Sequence, residues 1–420
     1  MYIQLDVGWL HHPFPVSRFK VVSAEQIATL RGLGLEQVRC YPDKSDPGVL
    51  DAPTPSLDSS SPVRSPAVID SVPPQPEADS GLDHAGALHQ KLLEAQNSVL
   101  DACDLRFQQA MQQYLTVEQL LPDRPVQARQ TSETLVADCV DELLTNGDSV
   151  IRLLSEAVGE RSALHPVNVL VISLLLGKAL QMDRLELNDV GIAALLHDIG
   201  KLKLPAQVRQ VSPAMSAADR LRYESHVGES VASVVNMGLN ERVVTAIAQH
   251  HEMANGLGFP LKLPLEDLSK AGQVVALVNQ YDRMCNPVNA SDGVTPHEAL
   301  SVIFAQLKSR FDPLILGAFI RMMGVYPPGS IVQLVDDRYA IVTSVNSSRP
   351  LRPKIMVYDP SVPKEQALIL DLERVPELGI RRSLKPQQLP GDILNYLSPR
   401  ERICYFFERA VRAGSNPEGL

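Results

Sequence analysis

The stretch Ala193-Ala194-Leu195-Leu196-His197-Asp198-Ile199-Gly200-Lys201 decides how the rest of the chain is read. It closes a segment, Leu185 to Leu196, that is apolar on nearly every face, the pattern of a helix buried in a core. A His-Asp doublet at the end of such a helix needs partners, because polar and charged groups are costly to bury alone. A divalent metal satisfies both residues at once. Imidazole offers a neutral nitrogen, and a carboxylate can bridge two ions with its two oxygens. Lys201 follows about one turn later, placed to meet a phosphate. The plainer alternative is a hydrogen-bonded pair at a helix end, and the wider pattern weighs against it.

Six of the ten histidines fall in the same window: His165, His197, His226, His250, His251 and His297. A single His on an apolar helix is usually a hydrogen-bonded core residue, but several together, two of them adjacent, point elsewhere. His165 to Leu180 reads as a second buried helix. Ser216 with Asp219 opens another that Gly238 stops, and Asn240 to His251 and Leu268 to Met284 give two more. His250-His251 leads into Glu252-Met253-Ala254-Asn255-Gly256-Leu257-Gly258-Phe259-Pro260. The glycines there allow a tight loop and Pro260 fixes its exit, which suits the rim of a site.

The remaining segments arrange themselves around this region. Residues 1–40 read as a small unit with a strand at Tyr2–Val7 and a short helix opening at Ser23. Residues 41–81 carry nine prolines and no sustained apolar period, so they read as a linker. Residues 82–129 read as a helical connector, either a bundle helix or a stalk for dimerisation, and the helical pattern resumes from Thr131 to Ala157. The metal-binding core is therefore set at 130–325. After Pro327-Pro328-Gly329 the period changes to two, with strands at Ile331–Val335, Tyr339–Val345 and Ile355–Tyr358 and a turn at Asp336-Asp337. Arg400 to Arg412 reads as a final amphipathic helix, which makes 326–420 a β-rich module. The expected fold class is mainly α: an all-helical core with a small N-terminal α/β unit and a small β-rich C-terminal module.

Composition narrows the function. Of the 420 residues, 45% are hydrophobic and 21% charged, as in globular proteins. Aromatics reach 5% with one Trp, which argues against a base-stacking platform. A formal charge of −10 argues against broad electrostatic binding to a nucleic-acid polymer or an anionic membrane. An anionic substrate would need a metal or a local basic residue. The five cysteines are dispersed without a CxxC pair, which suggests a reducing compartment. No signal pattern opens the chain, and the apolar run Val167–Leu180 is short for a bilayer, so a cytoplasmic protein without a membrane span is expected.

On His165, His197-Asp198-Ile199-Gly200-Lys201, His226, His250-His251-Glu252 and Asn255 to Pro260, in that order and spacing, the chain resembles the HD-GYP family. This family is a branch of the HD metal-dependent phosphohydrolases, and the resemblance covers roughly residues 130–325. Leu5 to Leu10, His12-Pro13-Phe14 and Lys44-Ser45 also look like a short domain that precedes HD-GYP modules in some proteobacterial proteins. The resemblance implies a cyclic di-GMP phosphodiesterase giving pGpG and often GMP, with two or three divalent ions, commonly iron or manganese. By the same resemblance His165, His197 and Asp198 hold one ion, and Asp198 bridges to a second held by His226, His250 and His251. A metal-activated hydroxide attacks phosphorus, with Asp198 and Lys201 as the catalytic candidates. Lys201, Gly258, Phe259 and Pro260 are the substrate-binding candidates.

Four positions depart from the family pattern. Phe259 stands where the family has Tyr. Arg161 stands where trinuclear members carry Glu, which favours a binuclear site. Asn279 occupies the last metal-ligand position, normally Asp, with Asp282 one turn on as a substitute carboxylate or a support. Asn286-Pro287 replaces a basic Arg-Pro-Tyr-Arg stretch. An alternative is therefore a catalytically weak or inactive module that binds a diguanylate cyclase or an adaptor protein. A phosphohydrolase of other nucleotides ranks third. Cyclic di-GMP is the expected partner, with a homodimer as one arrangement of the chain.

Overall fold

The computed structural model describes residues 2–4, 18–21, 27, 30, 38–41, 80–145, 149–155, 161–210, 215–287, 289, 292–346, 349–375 and 378–409. The chain divides into two units, Met1–Ala95 and Gln96–Leu420. In the first, β1 (Tyr2–Gln4) lies between β2 (Arg18–Lys20) and β3 (Arg39–Cys40) in an antiparallel sheet. The strand expected at Tyr2–Val7 is thus seen over its first part. Ile27 and Leu30 are helical, while the rest of the helix from Ser23 and nearly all of the 41–81 linker lie outside the described residues.

Helix α1 spans Ser80–Leu120, and α2 (Pro125–Thr145) follows the break at Pro122 to Pro125. The centre of the second unit is α3 (Arg161–Ala179) packed along α4 (Arg184–Leu196). Both are buried on almost every face: Val167, Leu170, Ile172, Leu174, Ala193 and Leu195 are fully covered. Such burial explains why neither helix shows a polar stripe. By length and composition Ser162–Ala179 could cross a membrane, and 72% of it is buried inside the protein. Asp183 and Glu186 form a reciprocal cap that starts α4.

Around this pair lie α5 (Ala217–Glu224), α6 (His226–Met237), α7 (Glu241–Gln249), α8 (Lys270–Cys285), α9 (Pro296–Gln306) and α10 (Pro313–Met323). Ser216, Asn240, Ser269, Thr295 and Asp312 accept from backbone amides at the starts of five of them. The single helix expected from Ser216 to Gly238 is broken at Ser225, so His226 opens a new helix instead of sitting within an old one. Gly238, at φ 77°, ends α6 as expected.

Two expectations are corrected in the β region. Residues Ser149–Leu153, taken as a continuation of a helix, form strand β4. Residues Tyr405–Arg409, taken as part of a terminal helix, form a strand that pairs antiparallel with β4, Phe407 opposite Ile151. The physical reason is shared: each is a short apolar run that satisfies its backbone against the other. The remaining strands are β5 (Ile331–Leu334), β6 (Tyr339–Asn346), β7 (Lys354–Val357), β8 (Ile369–Asp371) and β9 (Ile380–Leu384), followed by the short helix α11 (Gly391–Leu397) and then β10 (Tyr405–Arg409). All pair antiparallel in one seven-stranded sheet in the order β10-β4-β6-β5-β9, with β7 on β6 and β8 on β7. Strand β10 also packs against α3, which brings the tail to the helical core.

Candidate metal centre

Four helix ends and one tight turn deliver the polar side chains to one place. His197 follows α4, His226 starts α6 and His250 follows α7; each turns its Nδ1 to the carbonyl oxygen three residues earlier. For His197 that contact is to Ala194 at 2.7 Å, and for His250 to Ile247 at 2.6 Å. A carbonyl can only accept, so Nδ1 carries the proton and Nε2 presents a lone pair. His165, in the first turns of α3, does the same with a carboxylate: its Nδ1 donates to Asp282 Oδ2 on α8 at 2.6 Å.

These Nε2 atoms converge on Asp198. Its Oδ2 lies 3.4 Å from Nε2 of both His165 and His197, and its Oδ1 lies 3.2 Å from His226 and 3.7 Å from His250. The ligand atoms fall into two groups, His165–His197–Asp198 and Asp198–His226–His250–His251, each within 4.8 Å and sharing Asp198. Two Nε2 atoms, of His165 and His197, stand 3.1 Å apart, and two more, of His226 and His250, 3.4 Å apart. Lone pairs facing each other at such distances repel unless a cation sits among them. Asp198 Oδ1, His251 Nε2 and Asn279 Oδ1 are moreover buried without a hydrogen-bond partner, a costly arrangement that metal ligation removes. The residues therefore fit a metal centre.

Electrostatics agrees. Burial opposes ionisation of Asp198, yet Lys201, His197 and His165 outweigh it and hold the carboxyl well below its ordinary range. Burial pushes His250 down to about 4 and His197 and His251 below the usual histidine value. At neutral pH these imidazoles are neutral, grouped around one anion. His165 goes the other way: burial is outweighed by Asp198 and Asp282, which raise it.

Gly200 sets this geometry. A Cβ there would lie 2.3 Å from Ser230 N and 2.4 Å from His226 O, so the turn after Asp198 touches the backbone of α6. Gly200 N also donates to Ser230 Oγ at 2.9 Å. Lys201 forms an ion pair with Asp198 and holds Nζ 5.3 Å from the Tyr223 ring.

The loop after His251 is placed by a residue that the sequence reading left without a role. Glu252 is buried and accepts from the amides of Leu261, Lys262 and Leu263 at 2.6, 3.1 and 3.1 Å. Gly258 lies against it, where a Cβ would meet Glu252 Cα and Met253 N at 2.5 Å. The Phe259 ring stacks on His251 with centroids 4.4 Å apart, and the Phe259–Pro260 bond is cis. A cavity of about 580 Å³ opens beside the cluster, with His165, Asp198 and Lys201 in its wall. Gly258, Phe259 and Pro260 are not among its lining residues; the Phe259 ring lies instead against His251 and His226. Asn279 lies on α8 one turn before Asp282, and both are buried. The side chain of Arg161 lies outside the described residues.

The chain matches two family descriptions, an HD domain over residues 116–315 and a domain of unknown function, DUF3391, over residues 1–121. It is 25% identical over 228 residues to the cyclic di-GMP phosphodiesterase PA4108 of Pseudomonas aeruginosa, covering 53% of this chain and 55% of that one. It is 21% identical over 194 residues to the cyclic di-GMP phosphodiesterase PdeB of Borreliella burgdorferi, covering 46% and 51%. Among solved structures it is similar to Bd1817, an HDG"Y"P protein of Bdellovibrio bacteriovorus, with a TM-score of 0.41 and 21% identity over 50% of this chain and 68% of that one. The chain spans about half the length of the curated relatives it matches.

Proposed function

We propose that this chain, which matches an HD domain over residues 116–315 and DUF3391 over residues 1–121, is an HD-GYP-type metal-dependent phosphodiesterase that hydrolyses cyclic di-GMP to pGpG or GMP. The observation that carries this reading is the double set of Nε2 atoms around the shared carboxylate of Asp198. His165, His197 and Asp198 would hold one divalent ion, and His226, His250, His251 and Asp198 a second, iron or manganese. Asn279, with its unpaired oxygen, is an added ligand candidate. Ions held there would neutralise phosphate charge and bring the pKa of water toward neutrality.

The protein's own residues do the rest. The carbonyls of Ala194, Tyr223 and Ile247 fix the tautomers of His197, His226 and His250, so none of these three has to reorganise on ligation. Lys201, at the cavity wall, exchanges Asp198 for a phosphate oxygen when substrate enters and opposes the charge that grows in the transition state. Phe259 covers one face of His251 and keeps water from it. This substrate class and the dispersed cysteines support a cytoplasmic site of action.

The test is hydrolysis of cyclic di-GMP with products separated by chromatography, for the wild type and for Asp198→Ala and His197→Ala. Wild-type turnover lost in both variants is expected; full activity in either refutes the assignment. A second reading, a module that keeps the fold and binds a diguanylate cyclase or adaptor protein, is favoured by the neutral Asn279. It predicts that the wild type turns over little or nothing.

A further inference from the structure

The wall of the cavity includes chain from beyond the HD domain. Arg402 and Cys404 lie in it, although the HD match ends at residue 315. The segment is tied down on both sides. Ile403 N donates to Asn286 Oδ1 at 2.7 Å, and Ile403 O accepts from Asn286 Nδ2 at 2.8 Å and Asn168 Nδ2 at 3.0 Å. Tyr405 N donates to Asn168 Oδ1 at 2.9 Å. Arg402 itself donates through Nη1 to the carbonyl of Pro287. Asn168 and Asn286 also donate to Asp282, the group that orients His165. The tail is thus built into the support of the cluster.

Charge gives the segment a purpose. The wall carries Lys201, Arg209, Arg283 and Arg402 against Glu118 and Asp198, in a chain of net charge −10. Asp198 already faces Lys201. Arg283 Nη1 donates to the Tyr223 hydroxyl at 2.8 Å, and Arg209 donates to the carbonyls of Leu204 and Leu202. Cations gathered at a cavity in an acidic protein fit an anionic ligand. A substrate with two phosphates needs a cation for the one that is not reacting, and a guanidinium binds phosphate through a pair of donors.

We propose that Arg402 binds the non-reacting phosphate of the substrate, so that the segment Arg402–Cys404 completes the substrate cavity. This rests on the phosphodiesterase reading above. The test uses the full chain with Arg402→Gln, which can still donate to the Pro287 carbonyl, and Arg402→Lys, which keeps the charge. Five quantities are compared with wild type: KM and kcat for cyclic di-GMP, equilibrium binding of cyclic di-GMP under chelator, turnover of bis(p-nitrophenyl) phosphate, and metal content. In Arg402→Gln, KM and Kd should rise about tenfold or more, with kcat, turnover of the small diester and metal content near wild type. Arg402→Lys should fall between the two. Unchanged KM and Kd overturn the proposal. So does a joint fall of metal content and small-diester turnover, which would make Arg402 a staple of the fold. A wild type that binds cyclic di-GMP through Arg402 without hydrolysing it refutes the hydrolase and keeps this assignment; a wild type that does not bind it refutes both.

Discussion

Replacing Asp282 by Asn keeps the size of a buried side chain that accepts from three donors: His165 Nδ1 on Oδ2, and the Nδ2 groups of Asn168 and Asn286 on Oδ1. An amide has one acceptor. Turned either way, its NH2 meets donors, His165 on one side or the two asparagines on the other. The asparagines cannot flip in response, because each also donates from Nδ2 to Ile403 O and accepts at Oδ1 from the amide of Tyr405 or Ile403. One or two stranded donors at about 1–3 kcal/mol each should lower the unfolding free energy by roughly 2–3 kcal/mol. His165 has one escape, moving its proton to Nε2, which removes the lone pair from the cluster. Losing such a support costs about 10–100-fold in metal affinity, or ~1.4–2.7 kcal/mol. Denaturant unfolding of chelated protein gives the first quantity and competition against a coloured chelator the second. Asp282→Asn with wild-type stability and metal affinity would refute the claim that Asp282 orients His165.

Lys201→Ala should leave metal content near wild type and lower kcat/KM for cyclic di-GMP about 100-fold; steady-state kinetics with metal analysis checks it, and loss of metal would show Lys201 to be structural. Asn279→Leu removes a buried, unpaired oxygen, so the metal-stripped protein should gain about 1–3 kcal/mol in denaturant unfolding while metal affinity falls; unchanged affinity would exclude Asn279 as a ligand. Burial lowers His250 from 6.5 to about 4, so its contribution to folding is whole above pH 6.5 and is lost as pH falls toward 4. Between pH 7 and 5 that is about 2 kcal/mol in stripped protein, and His250→Gln should lose correspondingly less over the same interval in urea unfolding.

What could be read from the sequence was local. The all-apolar faces of Leu185–Leu196, the cap at Ser216, the helix start at Asn240 and the stop at Gly238 are written in neighbouring residues, and the structure keeps them. The histidines were found because six fall in one window, two of them adjacent and one beside Asp198, whereas the helix start at His226 was not legible. The two corrected strands show the other case. Val150-Ile151-Arg152-Leu153 continues an apolar pattern in step with the helix before it, and its partners, Val345 and Phe407, lie far along the chain. Arg400, Glu401, Arg402 and Glu408 around Tyr405-Phe406-Phe407 imitate an amphipathic helix, whereas the aromatic run pairs as a strand. The choice between Asn279 and Asp282 depended on His165, Asn168 and Asn286 converging on one carboxylate, which no spacing reveals. Glu252 had a signal after all: a lone acidic residue just before a loop whose amides must be satisfied.

The most direct test of the central claim is metal content and cyclic di-GMP turnover measured on one sample, purified without air or chelator. The account predicts about two divalent ions per chain and conversion to pGpG or GMP that chelator abolishes and iron or manganese restores. A protein that binds no metal and turns over no substrate after reconstitution with either ion would contradict it.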